Sequence, residues 1–87
     1  MDRPPLIEYP TDYPFKVIGS SAEDFELHVR TVVGQAVPGV AMGEATVRPS
    51  SGGKYLSVTL DVRLESEEQR RAIYEALKID ARVVYFL

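Results

Sequence analysis

The sequence predicts an α+β fold in which a four-stranded antiparallel sheet carries two helices on one face. Three observations lead to this prediction: the chain is short, its strand and helix patterns follow the order βαββαβ, and one strand alternates strictly between apolar and polar residues. With 87 residues, 45% of them hydrophobic, and a net charge of −3, the chain is typical of one small soluble domain. We expect that domain over residues 13–87, after an extended, proline-containing lead-in over residues 1–12.

The first strand is predicted over Tyr13–Gly19, where aromatic and β-branched residues alternate around a lysine. Ser20 stands three residues before Glu23, which is the spacing of a capping box, so we expect the first helix to begin there. Pro38-Gly39 ends that helix. One apolar stripe at the 3.6-residue period predicts that the helix packs on the sheet. The stripe consists of Phe25, Val29, Val32, Val33 and Ala36.

The third strand has the clearest pattern in the chain. Apolar residues at every second position from Leu56 to Leu64 alternate with polar or amphipathic residues from Tyr55 to Arg63. This pattern predicts a sheet with one buried face and one open face. A weaker alternation over Ala45–Arg48 predicts the preceding strand, and the turn-forming residues 49–54 join the two strands in a hairpin.

The second helix is predicted to begin at Ser66, which stands three residues before Gln69 in a second capping box. Its inner face carries Gln69, Ile73, Ala76 and Leu77. The last strand is predicted over Arg82–Leu87, which is β-branched and aromatic to its end. Two right-handed crossovers around a central hairpin then predict a ferredoxin-like sandwich, with the second and fourth strands at the sheet edges.

Four segments that span nearly the whole chain carry a family resemblance. The most specific is the hairpin pattern Pro-Ser-Ser-x-Gly-x-Tyr-x-Ser over residues 49–57, and the others are Tyr9–Thr11, Phe15–Gly19 and Ile73–Leu77. On these segments the chain resembles the YbeD-like family of small bacterial proteins of unknown function. The resemblance implies the ferredoxin-like fold, a similarity to ACT-type regulatory domains, which bind small effectors such as amino acids, and a connection to lipoate metabolism. It implies no catalytic residues.

The residue inventory argues against catalysis. The chain has no cysteine, so a disulfide framework, a thiol nucleophile and a cysteine-ligated metal site are excluded. His28 is the only histidine and has no evident carboxylate partner, which favours a role at the boundary of the first helix. The acids near the helix starts complement the helix dipole: Glu23, Asp24, Glu26, Glu67 and Glu68. We therefore expect no enzymatic activity, no metal and no cofactor.

The sequence also predicts where the protein resides. The opening residues carry charges and prolines where a signal peptide has an apolar run, and no stretch approaches about 18 apolar residues. We expect a cytoplasmic protein without a membrane span. Nucleic-acid binding is disfavoured, because Tyr55 is the only aromatic residue among the outward positions of the third strand and the net charge is negative.

Candidate binding residues cluster at the hairpin. Arg48 and Lys54 are suited to pair with an anionic group, small loop residues offer backbone N–H donors, and Tyr55 offers a flat apolar surface. The loop is no Walker loop, because its lysine precedes a strand rather than a helix. We expect a site for an unknown protein partner or a small anionic effector, with turn formation as the alternative explanation of the loop. The site consists of Arg48, Ser50, Ser51, Lys54, Tyr55 and Ser57.

Two oligomeric states remain open at the level of sequence. Tyr85, Phe86 and Leu87 make the last edge strand apolar, and strand addition there would produce a weak homodimer. A monomer results if these side chains complete the protein's own core. An ACT-like dimer that holds a small effector between its subunits is the alternative to the interaction domain.

Overall fold

A computed structural model describes residues 7–87 of the chain. Its elements follow in the order β1 (Thr11–Ser20), α1 (Phe25–Ala36), β2 (Ala41–Pro49), β3 (Tyr55–Leu64), α2 (Glu67–Ile79) and β4 (Val83–Phe86). The strands form one antiparallel sheet in the spatial order β2-β3-β1-β4. The predicted ferredoxin-like fold is confirmed, and so is the position of β2 and β4 at the sheet edges.

The core lies between the sheet and the two helices. The alternation predicted for β3 is confirmed, because its apolar residues from Val58 onward are fully buried whereas Asp61 and Arg63 are exposed. The apolar stripe of α1 also faces the core, with Ala36 half-buried at its end. The buried hydrophobic residues are Phe15, Val17, Phe25, Val29, Val32, Val33, Val37, Val58, Leu60, Val62, Leu64, Ile73 and Leu77.

The capping box predicted at Ser20 is wrong. Ser20 is the last residue of β1 and pairs with Tyr55, so the chain is still extended there. Helix α1 begins only at Phe25, and Asp24 is its N-cap residue without a side-chain capping bond. The Asp24 carboxylate instead accepts two hydrogen bonds from the Arg82 guanidinium, at 2.7 and 3.1 Å. Arg82, which is 58 positions away in the chain, therefore binds the Asp24 carboxylate, and the carboxylate does not cap the amides of the first helical turn.

The capping of α2 is confirmed at Ser66, whose hydroxyl oxygen accepts a hydrogen bond from the Gln69 amide at 3.2 Å. The Gln69 side chain does not return to the amide of Ser66, as a complete capping box requires. Its Oε1 accepts a hydrogen bond from the amide of Glu65 at 2.7 Å. Ser66 is therefore the N-cap residue as predicted, and only the return hydrogen bond reaches one residue further back than in a complete capping box.

The predicted lead-in falls partly outside the described residues, which begin at residue 7. Its last two residues, Thr11 and Asp12, already pair with β3, so β1 begins two residues before the predicted strand. Just before β1, the Tyr9 hydroxyl donates a hydrogen bond to Glu67 Oε1 of α2 at 2.6 Å. Arg70 donates two more bonds to the same carboxylate, at 3.0 and 2.7 Å. The segment just before β1 is thus hydrogen-bonded to α2.

These contacts make the free energy of unfolding depend on pH through the protonation of Glu67. The hydrogen bonds from Arg70 and then from Tyr9 lower the pKa of Glu67 from 4.5 to about 2. Folding therefore favours the ionised carboxylate, so its contribution to the free energy of unfolding is complete above pH 4.5 and is lost as the pH falls towards 2. We expect the Glu67→Gln variant to lose less stability than the wild type over this interval.

Urea unfolding at a series of pH values measures this difference, with Glu68→Gln as the matched control. Glu68 lies on the same helical turn, is exposed, and belongs to no salt bridge among residues 7–87. If the Glu67→Gln and wild-type profiles run parallel through the acid range, Glu67 does not couple folding to protonation.

Candidate functional site

The face of the sheet that points away from the helices, called here the open face, displays its residues in rows across the strands. Strand register sets these rows because paired residues of neighbouring strands lie on the same face. One row near the hairpin contains Arg48, Ser57, Ile18 and Tyr85, from β2, β3, β1 and β4 respectively. The next row contains Thr46, Thr59, Lys16 and Leu87.

Three of the predicted site residues share this surface. Arg48 and Ser57 are directly opposite each other on β2 and β3. Tyr55 lies two residues before Ser57, and therefore on the same face, at the very start of β3. Lys54 is the exposed loop residue just before it. The structure thus brings Arg48, Lys54, Tyr55 and Ser57 to one end of the open face, called here the hairpin end.

The two predicted loop serines have different surroundings. The Ser50 hydroxyl accepts a hydrogen bond from the Tyr55 amide at 3.0 Å, and the Ser50 carbonyl accepts one from the Gly53 amide at 2.9 Å. Gly52 and Gly53 have φ values of 87° and 73°, which favour glycine. Ser50 therefore contributes to the turn itself, whereas Ser51 is exposed at the tip of the loop.

Charge is divided unevenly over the open face. Lys16, Arg48 and Lys54 lie at or next to the hairpin end, and all three are exposed. The opposite end of the face carries Asp61 and Asp12, and Asp12 pairs with Arg63 at 3.4 Å. An anionic group therefore meets a more favourable electrostatic environment at the hairpin end.

Sequence reasoning identified Tyr85 and Leu87 as apolar residues of the last strand but did not place them, or Ile18, on the open face. Ile18 is half-buried and lies between Ser57 and Tyr85, whose side chain is 55% exposed. Leu87 is also exposed and exchanges two backbone hydrogen bonds with Lys16, at 2.8 and 3.3 Å. The period-two pattern of β1 carries the signal for Ile18, because it falls at an even position like Lys16. The register of β4 was needed to place the other two beside it.

His28 also has a partner that the sequence does not reveal. Its Nε2 atom lies 2.9 Å from both carboxylate oxygens of Asp80, the residue that follows α2. The expectation that His28 lacks a carboxylate partner is therefore wrong, because α1 and α2 pack side by side and bring together residues that are 52 positions apart. No local pattern reports a contact at that separation.

The Asp80 carboxylate sits in a network of hydrogen bonds. Besides facing His28, it accepts a hydrogen bond from the Arg82 amide at 2.9 Å. Burial raises the pKa of Asp80, but the hydrogen bonds from His28 and from the backbone outweigh it, so the pKa lies below the ordinary value of 3.8. The pair therefore holds the end of α2 and the start of β4 against α1.

Within residues 7–87, no cluster of three or more histidine, aspartate or glutamate side chains is arranged to hold a metal ion. Over the same span, neither helix is long and apolar enough to cross a membrane.

Comparison with known proteins identifies relatives over most of the chain. The family model described as "Protein of unknown function (DUF493)" matches residues 4–87. A UPF0250 protein of Ralstonia nicotianae is 47% identical over 75 residues, covering 86% of this chain and 77% of the relative. A UPF0250 protein of Bordetella pertussis is 44% identical over 72 residues, covering 83% of this chain and 79% of the relative.

Two solved structures share the fold. The solution structure of protein HP0495 from Helicobacter pylori has a TM-score of 0.75 at 19% identity, covering 98% of this chain and 89% of that one. The ACT domain from the GTP pyrophosphokinase of Chlorobium tepidum has a TM-score of 0.64 at 9% identity, covering 88% of this chain and 97% of that domain. At these identities the likeness concerns the fold alone.

Proposed function

This chain belongs to the family described as Protein of unknown function (DUF493), and its resemblance to the YbeD-like proteins is thereby confirmed. We propose its function from the geometry of the open face. The chain is a non-enzymatic regulatory or interaction domain that binds an anionic group at the hairpin end of the open face. The observation that supports this proposal is the placement of the exposed cations Arg48 and Lys54 near the exposed ring of Tyr55, with Lys16 two rows further along the open face.

The chemistry of these residues suits an anion. A guanidinium group binds a carboxylate or phosphate through two parallel hydrogen bonds, and a lysine adds a second positive charge. Among the residues that the structure describes, Lys16, Arg48 and Lys54 belong to no salt bridge. Their charges are therefore not neutralised by acids of residues 7–87, and binding requires no internal ion pair to break.

The neighbouring side chains favour a protein as the carrier of that anionic group. Ile18 and Tyr85 continue the row that begins with Arg48 and Ser57. A positively charged residue and two apolar residues therefore lie in the same row of the open face. Exposed aromatic and aliphatic residues next to an arginine are typical of protein interfaces. We infer that the partner presents an acidic side chain beside an apolar one.

Removing the two hairpin cations tests this assignment. We expect the Arg48→Ala, Lys54→Ala double variant to lose the partner that the wild type captures from a lysate, because the anionic group then has no counter-charge. Mass spectrometry of the captured proteins measures the loss. Circular dichroism should show an unchanged fold, since both side chains are exposed.

The matched control is the Arg63→Ala, Lys78→Ala double variant, which removes the same charge from the far end of the open face and from α2. It should capture the partner as the wild type does. A partner that both double variants retain equally would refute binding through the hairpin end.

A second candidate is an ACT-like dimer that binds a small effector, and the fold shared with the ACT domain of GTP pyrophosphokinase favours it. An effector that binds only the folded state raises the Tm by mass action. Free amino acids are one set of probes, and lipoate is another because the family resemblance implies a connection to lipoate metabolism. A rise in Tm with one probe, lost in the Arg48→Ala, Lys54→Ala variant, would support this candidate, whereas an unchanged Tm with every probe would count against it.

A further inference from the structure

The outer edge of β2 is a long strand edge with one side available for pairing. Among residues 7–87, β2 has β3 as its single neighbouring strand. It spans Ala41–Pro49, and most of its side chains are exposed. Such an edge presents unpaired N–H and C=O groups that can accept a further strand.

The register shows which backbone groups of β2 point outward. Leu87 and Lys16 exchange backbone hydrogen bonds, so alternation along β1 and β3 directs the backbone of Ser57 and Thr59 towards β2. Their partners Arg48 and Thr46 therefore point back at β3. The intervening residues Ala45, Val47 and Pro49 point their backbone groups away from the sheet. The position of Pro49 agrees with this assignment, because a proline in an edge strand has no N–H to offer outward.

These outward groups are compatible with antiparallel pairing between two copies of β2. Such pairing about a two-fold axis at Thr46 sets Ala45 of one copy opposite Val47 of the other. Both residues point outward, so they can exchange both N–H···O bonds of a hydrogen-bonded pair. With the axis at Thr46, Pro49 lies three residues from the axis, opposite Gly43 of the other copy. Shifting the axis to Val47 would set Pro49 opposite Ala45, only two residues from the axis, and the missing proline N–H would weaken the ladder nearer its centre.

The side chains are complementary in the same register. It sets Glu44 of each copy, which lies in the irregular stretch between Met42 and Ala45, opposite Arg48 of the other, with the Thr46 side chains meeting at the axis. Both charged residues are exposed in the single chain. On the other face, Val47 is 40% exposed and comes to lie beside Ala45 of the second copy. Opposite charges and apolar neighbours at facing positions both stabilise strand pairs.

We propose that the outer edge of β2 binds the same edge of a second copy of this chain, with Glu44 and Arg48 forming reciprocal ion pairs across the axis. The two sheets then join into one continuous antiparallel sheet. This inference shares Arg48 with the proposed anion site and goes beyond it by assigning roles to Glu44 and to the backbone of Ala45 and Val47. The contact is small compared with stable interfaces, so the dimer is weak and depends on protein concentration.

The opposite edge of the sheet is less suited to this pairing. Strand β4 spans only Val83–Phe86, and its register with β1 is interrupted between Ile18 and Gly19. The register of β2 with β3 is also interrupted, between Met42 and Ala45, but it is continuous from Ala45 to Pro49. Short edge strands resist the addition of another strand, and β4 is less than half as long as β2. The proposal therefore commits to the β2 edge.

Sedimentation velocity over a series of protein concentrations tests the proposal through a charge swap. Glu44→Arg sets two arginines opposite each other in each ion pair, and we expect the dimer dissociation constant to rise about tenfold. The Glu44→Arg, Arg48→Glu double variant restores opposite charges, so dimerisation should return. The Glu44→Arg variant retains Arg48, whereas the Glu44→Arg, Arg48→Glu double variant lacks it. Dimerisation and anion binding can therefore be measured separately in the two variants.

A backbone variant provides the second arm. Val47→Pro removes an N–H that points away from β3, so the fold should persist, as its amide NMR spectrum would show, while dimerisation is lost. Lys78→Glu, an exposed charge reversal on α2, is the control and should dimerise as the wild type does. A wild type that is monomeric at every concentration, a dimer that survives both Glu44→Arg and Val47→Pro, or a charge swap without rescue would each overturn the proposal.

Discussion

Replacing Gly19 by alanine is expected to lower the free energy of unfolding by about 3 kcal/mol, in the upper range for overpacked cores. A β-carbon at this position would overlap the Phe25 ring and approach the carbonyl oxygen of Arg82 to 2.6 Å. Neither neighbour can easily move away. Phe25 is fully buried, and its ring lies 5.8 Å below the Arg82 guanidinium, which is itself bonded to Asp24.

Gly34→Ala is the matched control for this substitution. A β-carbon at Gly34 would meet Met42 Cε at 3.8 Å, which is ordinary van der Waals contact. Gly34 lies within α1, where alanine is favoured over glycine by about 1 kcal/mol, so this variant should be more stable than the wild type.

Chemical denaturation of the three proteins measures both effects. The two substitutions add the same methyl group to the same small domain, so opposite signs would establish that the close approach at Gly19 causes the loss. A Gly19→Ala protein as stable as Gly34→Ala would show that Phe25 and the chain around Arg82 can make room.

Asp80→Ala has the second largest expected effect, a loss of about 2 kcal/mol, because it leaves two partly buried donors without their acceptor. The side chains of His28 and Asp80 are 23% and 15% exposed. The carboxylate also accepts a hydrogen bond from the Arg82 amide, which His28→Ala leaves intact. We therefore expect His28→Ala to cost less than Asp80→Ala, and the double variant to cost less than the sum of the two.

The same carboxylate makes this contribution sensitive to acid. Because the pKa of Asp80 lies below its ordinary value of 3.8 in the fold, its contribution is present above that pH and is lost as the pH falls through the lower folded value. Urea unfolding near neutral pH and in acid, with the exposed Asp61→Ala as control, measures it. Equal losses for Asp80→Ala and Asp61→Ala near neutral pH would refute the role of the His28 contact.

The residue pattern alone was sufficient for the architecture of this protein. When an element is buried on one side, its apolar residues recur with a period of two in a strand and of 3.6 in a helix. The strand β3 and the apolar stripe of α1 can therefore be recognised from the sequence alone. The hairpin and the end of α1 were equally predictable, because glycine and proline at Pro38-Gly39 and Gly52-Gly53 restrict the backbone locally. Arg48 and Ser57 were also expected on neighbouring strands of that hairpin, and the structure gave the register that pairs them.

Only the tertiary structure decided the contacts between distant segments. The partners His28 and Asp80 are 52 positions apart, and Tyr9 and Glu67 are 58 apart, so neither pair leaves a periodic trace in the sequence. The same reason explains the error at the start of α1. Local spacing favoured a cap at Ser20, but pairing with Tyr55 kept that residue extended, and Arg82 drew the Asp24 side chain away from the helix. Long-range hydrogen bonds replace the local motif because the packing of the fold places their partners within hydrogen-bond distance.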